Sequence, residues 1–335
     1  MTQDAIRPLA GRSAWLITDG KIGMDVQVRG VADALGLNAE MKHVDPTGLH
    51  RFLSPWLNPS RRDQVGFAGQ FSPPWPDLVL ATGRLSIPYL RAVRRAAGAS
   101  IYTIILQDPK TGANSADLVW VPEHDTLRSD NVITTPTAPH SFTPARLAEL
   151  RAEVRPDIAA LPGPRMAVML GGSSGDYPYS DACHQRLSSA LRSMAALGAS
   201  FLITPSRRTH AKLLATVDAA TAASPRLLWS GTGANPYAHF LAHADALIVT
   251  ADSVNMSSEA SATGRPVHVF TPAGGTPKFA RFHAALQQAG ATRPLADTLT
   301  TLDTWTYTPL HAGKVIAAEI ERRFSVHDAA LGRDR

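Results

Sequence analysis

The stretch that decides the fold is Ala246-Leu-Ile-Val-Thr-Ala-Asp-Ser-Val-Asn-Met-Ser-Ser-Glu-Ala-Ser-Ala-Thr-Gly-Arg-Pro-Val-His-Val-Phe270. Its first residues are apolar and predict a buried strand, which ends in a polar turn that contains Asp252 and Ser253. A helix of small residues follows, and Gly264 ends it before the apolar run Val267–Phe270. Because backbone N–H groups at the start of a helix attract anions, this unit predicts a site for a phosphate or a sugar diphosphate.

The same alternation of apolar strands and helices recurs along the chain and predicts parallel sheets with helices on both faces. An interval rich in proline and charge, Thr137–Pro164, separates two such series. The predicted fold class is therefore α/β, with two Rossmann-like domains whose parallel sheets face each other across a cleft. The predicted domains are residues 1–160 and 161–310, and residues 311–335 are predicted to form a helix that packs back on the first domain.

The composition is that of a globular chain, with 44% apolar and 18% charged residues among 335. Cys183 is the only cysteine, which excludes an internal disulfide and fits a reducing compartment. No apolar run approaches the roughly 20 residues that span a bilayer, and Met1–Arg12 lacks the apolar core of a secretory signal. The net charge of +5 suits an anionic substrate or an anionic membrane surface. We therefore expect a cytoplasmic protein, or one held peripherally on the inner face of the cytoplasmic membrane.

Three strand ends in the second half of the chain carry groups that suit an anion. Gly171-Gly-Ser-Ser-Gly175 lets the backbone approach a phosphate, although glycine turns also occur for structural reasons. In Thr204-Pro-Ser-Arg-Arg-Thr209 an arginine fork matches phosphate oxygens, and the alternative is a solvated helix start. Asp252 either contacts the bound molecule or caps the helix. Glu259 either accepts hydrogen bonds from ribose or sugar hydroxyls or complements the helix dipole. We call the residues predicted to bind this phosphate or sugar diphosphate the donor-binding residues. They are Gly171, Gly172, Ser173, Ser206, Arg207, Arg208, Thr209, Thr250, Asp252, Ser253, Met256 and Glu259.

The first predicted strand ends in Asp19-Gly-Lys-Ile-Gly23. Asp19 is either a general base that takes a proton from an acceptor hydroxyl or a turn-forming carboxylate bound to its own backbone. Lys21 is expected to hold an anionic acceptor group. Asp108, in the charged strand end Gln107-Asp-Pro-Lys110, is the rival base.

Residues 50–76 form an insertion that is basic, aromatic and rich in proline. It is either a surface that docks on anionic lipid or a long loop that buries its aromatic side chains.

Neither a metal site nor a nucleic-acid site is predicted. The twelve histidines are dispersed, and His239 and His243 share a helix face without a third ligand nearby in sequence. The chain has no helix-turn-helix, zinc-finger or RNP pattern, so nucleic acid is not an expected partner. Cys183 is predicted to lie in the core.

Several phrases of the sequence together resemble one known family. They are Thr18-Asp-Gly-Lys-Ile-Gly23 with Gln27, Leu80-Ala-Thr-Gly-Arg84, Gln107-Asp-Pro-Lys110, Val121-Pro-Glu-His-Asp125, Gly171-Gly-Ser173, Thr204-Pro-Ser-Arg-Arg-Thr209 and Thr250-Ala-Asp-Ser-Val-Asn-Met-Ser-Ser-Glu-Ala260. The chain resembles, from Ala14 to Phe324, the family named for a plant mitochondrial-fission protein of the ELM type, which is widespread in Gram-negative genomes. That family is similar to GT-B glycosyltransferases, including the enzyme that adds N-acetylglucosamine to the lipid-linked peptidoglycan precursor. The resemblance implies a GT-B-like fold with an acceptor in the first domain and a nucleotide sugar in the second.

The resemblance also implies further residues of the first domain that bind the acceptor. Catalysis is predicted at Asp19 and Asp108, and acceptor binding at Gly20, Lys21, Gly23, Gln27, Gly83, Arg84, Gln107 and Lys110. One position departs from the family: a histidine is expected where Met24 stands, which shifts the base role toward Asp19 or implies an altered activity.

The expected function is transfer of a sugar from a nucleotide diphosphate sugar to a glycolipid, a lipid-linked glycan or another envelope glycan, with neither a metal nor another cofactor. Inversion at the anomeric carbon is expected, and retention is the alternative. Two alternatives remain. A GT-B-like nucleotide-sugar epimerase would need no acceptor, and a non-catalytic scaffold would keep the fold without the donor site.

Overall fold

The computed structural model describes residues 9–333, which form two compact units. The first unit comprises the described residues up to Ser141 together with those from His311 onward, and the second is Phe142–Leu310. Among residues 9–333, no helix combines the length and the apolar character that crossing a membrane requires.

The strands and helices of the described residues alternate along most of the chain. In chain order they are β1 (Ser13–Thr18), α1 (Ile22–Leu35), β2 (Asn38–His43), α2 (Gly48–Phe52), β3 (Leu78–Thr82), α3 (Ile87–Ala97), β4 (Tyr102–Leu106), β5 (Leu118–Pro122), β6 (Val132–Thr135), α4 (Pro144–Ala152), α5 (Pro156–Ala159), β7 (Arg165–Leu170), α6 (Asp181–Ala196), β8 (Ser200–Pro205), α7 (Ala211–Thr221), β9 (Arg226–Leu228), α8 (Tyr237–His243), β10 (Ala246–Thr250), α9 (Val254–Ser261), β11 (Val267–Phe270), α10 (Pro277–Gln288), β12 (Thr292–Pro294) and α11 (Ala312–Ala330). Short 3₁₀ segments occur at Arg61–Asp63, Gly69–Phe71, Gly98–Ser100 and Ala113–Ser115.

The described residues of the first unit form a six-stranded parallel sheet in the order β2-β1-β3-β4-β5-β6. Every residue of β3, β4 and β5 is buried, as parallel strands covered on both faces should be. The edge strand β2 was missed by the sequence analysis because four of its six residues are exposed and it contains no apolar run. Helix α11 packs against α1 in this unit.

The second unit is a six-stranded parallel sheet in the order β12-β11-β10-β7-β8-β9. Its first strand in sequence, β7, lies at the centre beside β10. The strand order therefore reverses there, and this switch point opens a crevice at the carboxyl ends of β7 and β10, where doubly wound α/β folds bind ligands.

The residues that follow the first sheet belong to the second unit and not to the first domain, where the sequence analysis put them. Leu147, Leu150 and Ile158 are buried in a core of the second unit together with residues of β7 and β10. Arg151 also donates hydrogen bonds to the carbonyl oxygens of Ala242 and Thr263. The second unit thus begins at Phe142, because the apolar side chains from there on pack into its core, although its first strand begins only at Arg165.

Candidate functional site

The switch point of the second sheet brings together the three strand ends that the sequence analysis chose. Strands β7 and β8 pair up to Leu170 and Pro205, and β10 pairs with β7 on its other side. The loops after β7, β8 and β10 are therefore neighbours within one unit.

Asp252 connects these three loops. Its carboxylate accepts a hydrogen bond from the Gly172 N–H at 3.0 Å, one from the Tyr179 hydroxyl at 3.2 Å, and an ionic contact from Arg208 at 2.7 Å. The side chain of Asp252 is fully buried, whereas 45% of the Arg208 side chain is exposed. Since its oxygens already serve three donors, Asp252 acts here as an internal anchor, and a phosphate would not approach it directly.

Gly171 and Gly172 are required by the close approach of these loops. A Cβ at Gly171 would overlap the carboxylate of Asp252, and a Cβ at Gly172 would overlap the carbonyl group of Arg208. The Gly171 N–H also donates to the Thr250 hydroxyl at 2.8 Å. The two glycines thus bring the ends of β7, β8 and β10 within hydrogen-bond distance of one another.

The turn after β8 is fixed to the same place by its hydroxyls. The Thr209 hydroxyl contacts the carbonyl oxygens of Leu170 and Gly171, at 3.0 and 2.5 Å, and accepts the Ser206 N–H at 2.8 Å. The Ser206 hydroxyl accepts the Arg208 N–H at 3.2 Å. Ser206 and Thr209 therefore hold the turn so that Arg207 and Arg208 are presented at its tip.

The two arginines differ in their partners. Arg208 is occupied by Asp252, while the Arg207 guanidinium is exposed and has neither an ionic nor a hydrogen-bonded partner within residues 9–333. Ser173, on the neighbouring loop, is also exposed. Arg207 and Ser173 are the groups of these two loops that are available to a ligand.

Helix α9 starts at the end of β10. The Ser253 hydroxyl caps it by accepting the Met256 N–H at 3.3 Å, and the Met256 side chain packs against the core. Further along α9, the buried carboxyl group of Glu259 accepts a hydrogen bond from the Tyr237 hydroxyl of α8. Burial raises the pKa of Glu259 to about 7, and the bond from Tyr237 opposes that rise. Glu259 is thus a carboxyl group that titrates near neutral pH at the edge of this site.

Sequence reasoning missed three residues that support the site. Tyr179 bonds to Asp252, Tyr237 bonds to Glu259, and the His283 ring bonds to the carbonyl oxygen of Ala251 at 2.9 Å. Burial raises the pKa values of both tyrosines and lowers that of His283. Tyr237 is the first residue of α8, and Tyr179 lies in the loop two residues before α6, so the sequence alone gives only a weak signal for either.

In the first unit, the two predicted bases are each bound to a lysine two residues further on. Lys21 pairs with Asp19, whose side chain is 3% exposed, and Lys110 pairs with Asp108 at 2.7 Å. Both carboxylates also accept the N–H of the same lysine. Asp19 thus has the turn-forming geometry that was its alternative to catalysis, and Asp108 has the same geometry.

Two residues of the first unit that were predicted to bind the acceptor, Gln27 and Gln107, contact each other directly. The Gln107 amide donates to the Gln27 side-chain oxygen at 2.8 Å and approaches the Met24 sulfur at 3.4 Å. Gln107 has a φ of 85°, and Lys110 one of 62°, in the left-handed region that side chains other than glycine rarely adopt. The sulfur of Met24 therefore lies at the ends of β3 and β4, where it also accepts the Thr82 hydroxyl at 3.4 Å.

The other residues predicted to bind the acceptor stabilise nearby loops or lie in turns. Arg84 donates to the carbonyl oxygens of Phe52 and Ser54 and so fixes the insertion to the end of β3. Gly83 has a φ of 89° and lies beside the Asp19 carboxylate. Gly20 has a φ of 74°, and Gly23 lies in the first turn of α1.

A pocket of about 350 Å³ opens at the carboxyl ends of β1 and β2. It is lined by Asp19, Gly20, Lys21, His43, Val44, Asp45, Arg51 and Leu85. Its mixed charges suit a polar ligand. Among residues 9–333, no group of three histidine, cysteine, aspartate or glutamate side chains is arranged to hold a metal ion.

The insertion buries some of its aromatic side chains and exposes others. Phe71 is buried beside Trp15, and Trp75 packs against the same core. By contrast, Phe52, Trp56 and Phe67 are 78%, 63% and 90% exposed.

Comparison with known proteins identifies the family. A sequence profile described as mitochondrial fission ELM1 matches residues 22–324. The chain belongs to this family. A curated relative, the mitochondrial fission protein ELM1 of Arabidopsis thaliana, is 29% identical over 280 residues, which are 76% of this chain. The match spans 66% of the plant protein, slightly less than two thirds of its length.

Solved structures share the fold of this family member. The UDP-GlcNAc 2-epimerase of Neisseria meningitidis, solved with UDP-GlcNAc bound, is 12% identical and has a TM-score of 0.51, covering 94% of this chain and 99% of that one. The UDP-GlcNAc 2-epimerase of Methanocaldococcus jannaschii is 9% identical, with the same TM-score and coverage. Together with the two parallel six-stranded sheets, these likenesses show that the ELM1-family chain has an α/β, GT-B-like fold.

Proposed function

We propose that the protein is a glycosyltransferase that moves a sugar from a nucleotide diphosphate sugar to a lipid-linked or envelope glycan, with inversion. The observation that carries the proposal is the convergence of three loops at the switch point of the second unit, with Arg207 exposed at their rim. Switch points of doubly wound sheets bind nucleotides, and arginine matches the oxygens of a diphosphate.

In this proposal each donor loop has a separate task. Arg207, Ser173 and the backbone N–H groups at the start of α9 neutralise the leaving diphosphate, a task that metal ions have in other glycosyltransferases. Asp252 holds Arg208 and Gly172 in place, and Glu259 accepts hydrogen bonds from ribose or sugar hydroxyls. The binding of UDP-GlcNAc by a protein of the same fold supports a nucleotide sugar as the donor.

The first unit supports transfer over epimerisation. An epimerase acts on the donor alone, whereas a transferase must also hold an acceptor and take its proton. The pocket at the ends of β1 and β2 supplies polar side chains for such an acceptor, including Lys21 and Arg51 for an anionic group. Acceptor binding and proton transfer are therefore assigned to the first unit.

The donor assignment is tested by thermal unfolding with UDP-, GDP-, ADP-, CMP- and dTDP-linked sugars. One of them should raise the Tm of the protein, since a ligand at 100 times its Kd adds about 2.7 kcal/mol. Arg207→Ala should remove most of that rise, because it deletes the free guanidinium. Arg192→Ala, on the exposed face of α6, is the matched control and should keep the rise.

Product analysis then separates the candidate functions. A new glycolipid, formed only when a chloroform–methanol extract of a bacterial envelope is added, supports transfer. An epimerised nucleotide sugar without any acceptor would replace transfer by epimerisation. The absence of any rise in Tm across the panel would favour a non-catalytic scaffold.

We also propose that the insertion rests on an anionic membrane surface, where a lipid-linked acceptor resides. Phe52, Trp56 and Phe67 are exposed aromatic groups, and Arg61 and Arg62 lie exposed in the same segment. Exposed aromatics with neighbouring arginines suit the headgroup region of a bilayer.

Vesicle sedimentation tests this contact. The protein should bind phosphatidylcholine vesicles that contain phosphatidylglycerol and should lose that binding after Phe52→Ser with Phe67→Ser. Val154→Ser with Val326→Ser removes two exposed apolar side chains elsewhere and should leave binding unchanged. Equal binding by both double variants would remove the insertion as the docking surface.

A further inference from the structure

The pocket of the first unit contains a histidine that the sequence analysis did not assign. His43 is the last residue of β2 and pairs in register with Thr18, the last residue of β1. Its Nε2 lies 3.3 Å from the Oδ2 atom of Asp25, in the first turn of α1. The two strand ends and the helix start thus place an imidazole and a carboxylate side by side.

Asp25 is itself held in position. Its Oδ1 atom accepts the Thr18 hydroxyl at 2.6 Å, and that hydroxyl oxygen accepts the Gly20 N–H at 3.1 Å. Thr18 is fully buried, and 24% of the Asp25 side chain is exposed. A fixed carboxylate that accepts a hydrogen bond from one ring nitrogen selects the tautomer in which the other nitrogen is a proton acceptor.

The other ring nitrogen of His43 is available. The side chain is 56% exposed and lines the pocket, and within residues 9–333 its Nδ1 has no hydrogen-bond partner. Asp19 offers the opposite situation, because its side chain is 3% exposed and its carboxylate is bound by Lys21. A group that is exposed, oriented and unbound is better placed to take a proton from a molecule in the pocket.

We propose that His43 is the general base of the first unit and that Asp25 positions it. The inference rests on the proposed function, because the proton comes from the acceptor hydroxyl. The acceptor oxygen forms a bond to the anomeric carbon of the donor, and its proton passes to Nδ1 of His43. The bond from the anomeric carbon to the diphosphate breaks, and its electron pair leaves with the nucleoside diphosphate.

This base would fill the role left open at Met24. The sulfur of Met24 contacts Thr82 and Gln107, at the ends of β3 and β4, so it supplies no proton acceptor. His43 supplies an imidazole from the other side of β1, at the end of β2.

The first test measures the tautomer of His43 by nitrogen NMR of histidine-labelled protein and needs no substrate. The wild type should carry its proton on Nε2, and Asp25→Asn should shift the population toward the other tautomer. A proton on Nδ1 in the wild type, or no change in Asp25→Asn, would overturn the dyad whatever the protein does.

The second test is kinetic and uses the nucleotide-sugar panel with the envelope lipid extract. His43→Gln should lower kcat about 100-fold or more with little change in the KM for the donor. Asp25→Asn should lower kcat about 10-fold or more. His239→Gln is the matched control, since His239 also bonds to a carboxylate, Glu153, and should keep full kcat.

Rescue and pH dependence separate a base from a structural residue. Added imidazole should restore part of the kcat of His43→Ala, and the acid limb of the wild-type kcat profile should disappear in His43→Gln. The charged groups that share the pocket are Asp19, Lys21, Asp45 and Arg51, and the profile should be repeated in Asp19→Asn. Full kcat in His43→Gln, or a larger loss in Asp19→Asn, would return the base role to Asp19. A wild type that turns over no member of the panel would instead refute the proposed function.

Discussion

The two units use the same sheet architecture but stabilise their strand ends in different ways. In the second unit, loops from three strands share one buried carboxylate, Asp252, and glycines allow them to meet. In the first unit, by contrast, the loop carboxylates Asp19 and Asp108 are each bound by a lysine two residues further along the chain. The three loops of the second unit thus share one buried carboxylate, whereas Asp19 and Asp108 each stabilise their own loop.

Replacing a glycine after β7 and one after β1 should give the largest difference in stability between the two units. Gly172→Ala places a methyl group on the Arg208 carbonyl and should cost about 4 kcal/mol in the free energy of unfolding, because backbone cannot yield easily. Gly20→Ala meets nothing closer than 4.0 Å and should cost about 1 kcal/mol, for its φ of 74° alone. Urea denaturation measures both.

Gly175→Ala is the control within the loop after β7, because a Cβ there meets nothing within 4 Å. Its free energy of unfolding should stay within about 0.5 kcal/mol of the wild type. A Gly172→Ala variant as stable as Gly175→Ala would show that the loops after β7 and β8 yield as readily as the loop after β1.

The buried carboxyl group of Glu259 should make the second unit sensitive to pH. Its pKa is raised from 4.5 to about 7, so folding favours the protonated form. The stabilising contribution is complete below pH 4.5 and is lost as the pH rises through about 7, a change of roughly 3 kcal/mol. The difference in unfolding free energy between the wild type and Glu259→Gln should follow that course in denaturation at several pH values.

Tyr237→Phe provides the check on that assignment. The Tyr237 hydrogen bond lowers the pKa of Glu259, so its loss should move the end of the slope to higher pH. A slope that persists unchanged in Glu259→Gln would assign the pH dependence to another group.

Removing the cationic partner of the buried Asp252 and that of the partly exposed Asp108 should give the smallest difference in stability between the two units. Arg208→Ala leaves the buried Asp252 with two donors and should cost about 2 kcal/mol, since Arg208 is half exposed. Lys110→Ala leaves Asp108 in partial contact with solvent and should cost less than about 1 kcal/mol. Equal losses in urea denaturation would mean that the two units bind their carboxylates alike.

Local sequence patterns predicted the elements better than the contacts among them. The apolar runs at β3 and β10 are buried along their length, and both were expected as strands. The exposed edge strand β2 carries no such pattern, so His43 at its end was not recognised. The ends of β7, β8 and β10 lie next to one another, as expected. The tyrosines that bond to Asp252 and Glu259, however, lie 73 and 22 positions away in the sequence.

The roles of individual residues were harder to predict because they depend on packing. Gly171 and Gly172 were chosen for phosphate approach, yet their lack of a Cβ is already required by Asp252 and Arg208. Arg207 and Arg208 are adjacent in sequence, but the conformation of the turn held by Ser206 and Thr209 brings only Arg208 to Asp252.

The single cysteine has a practical consequence. Cys183 is buried, and its sulfur accepts the Ala273 N–H at 3.3 Å, so it should react slowly with thiol reagents. A thiol introduced by Gly175→Cys, at the open side of the glycine loop, should therefore take up a maleimide fluorophore almost exclusively. If the proposed function holds, such a label would report nucleotide binding optically, in real time and without a radioactive substrate.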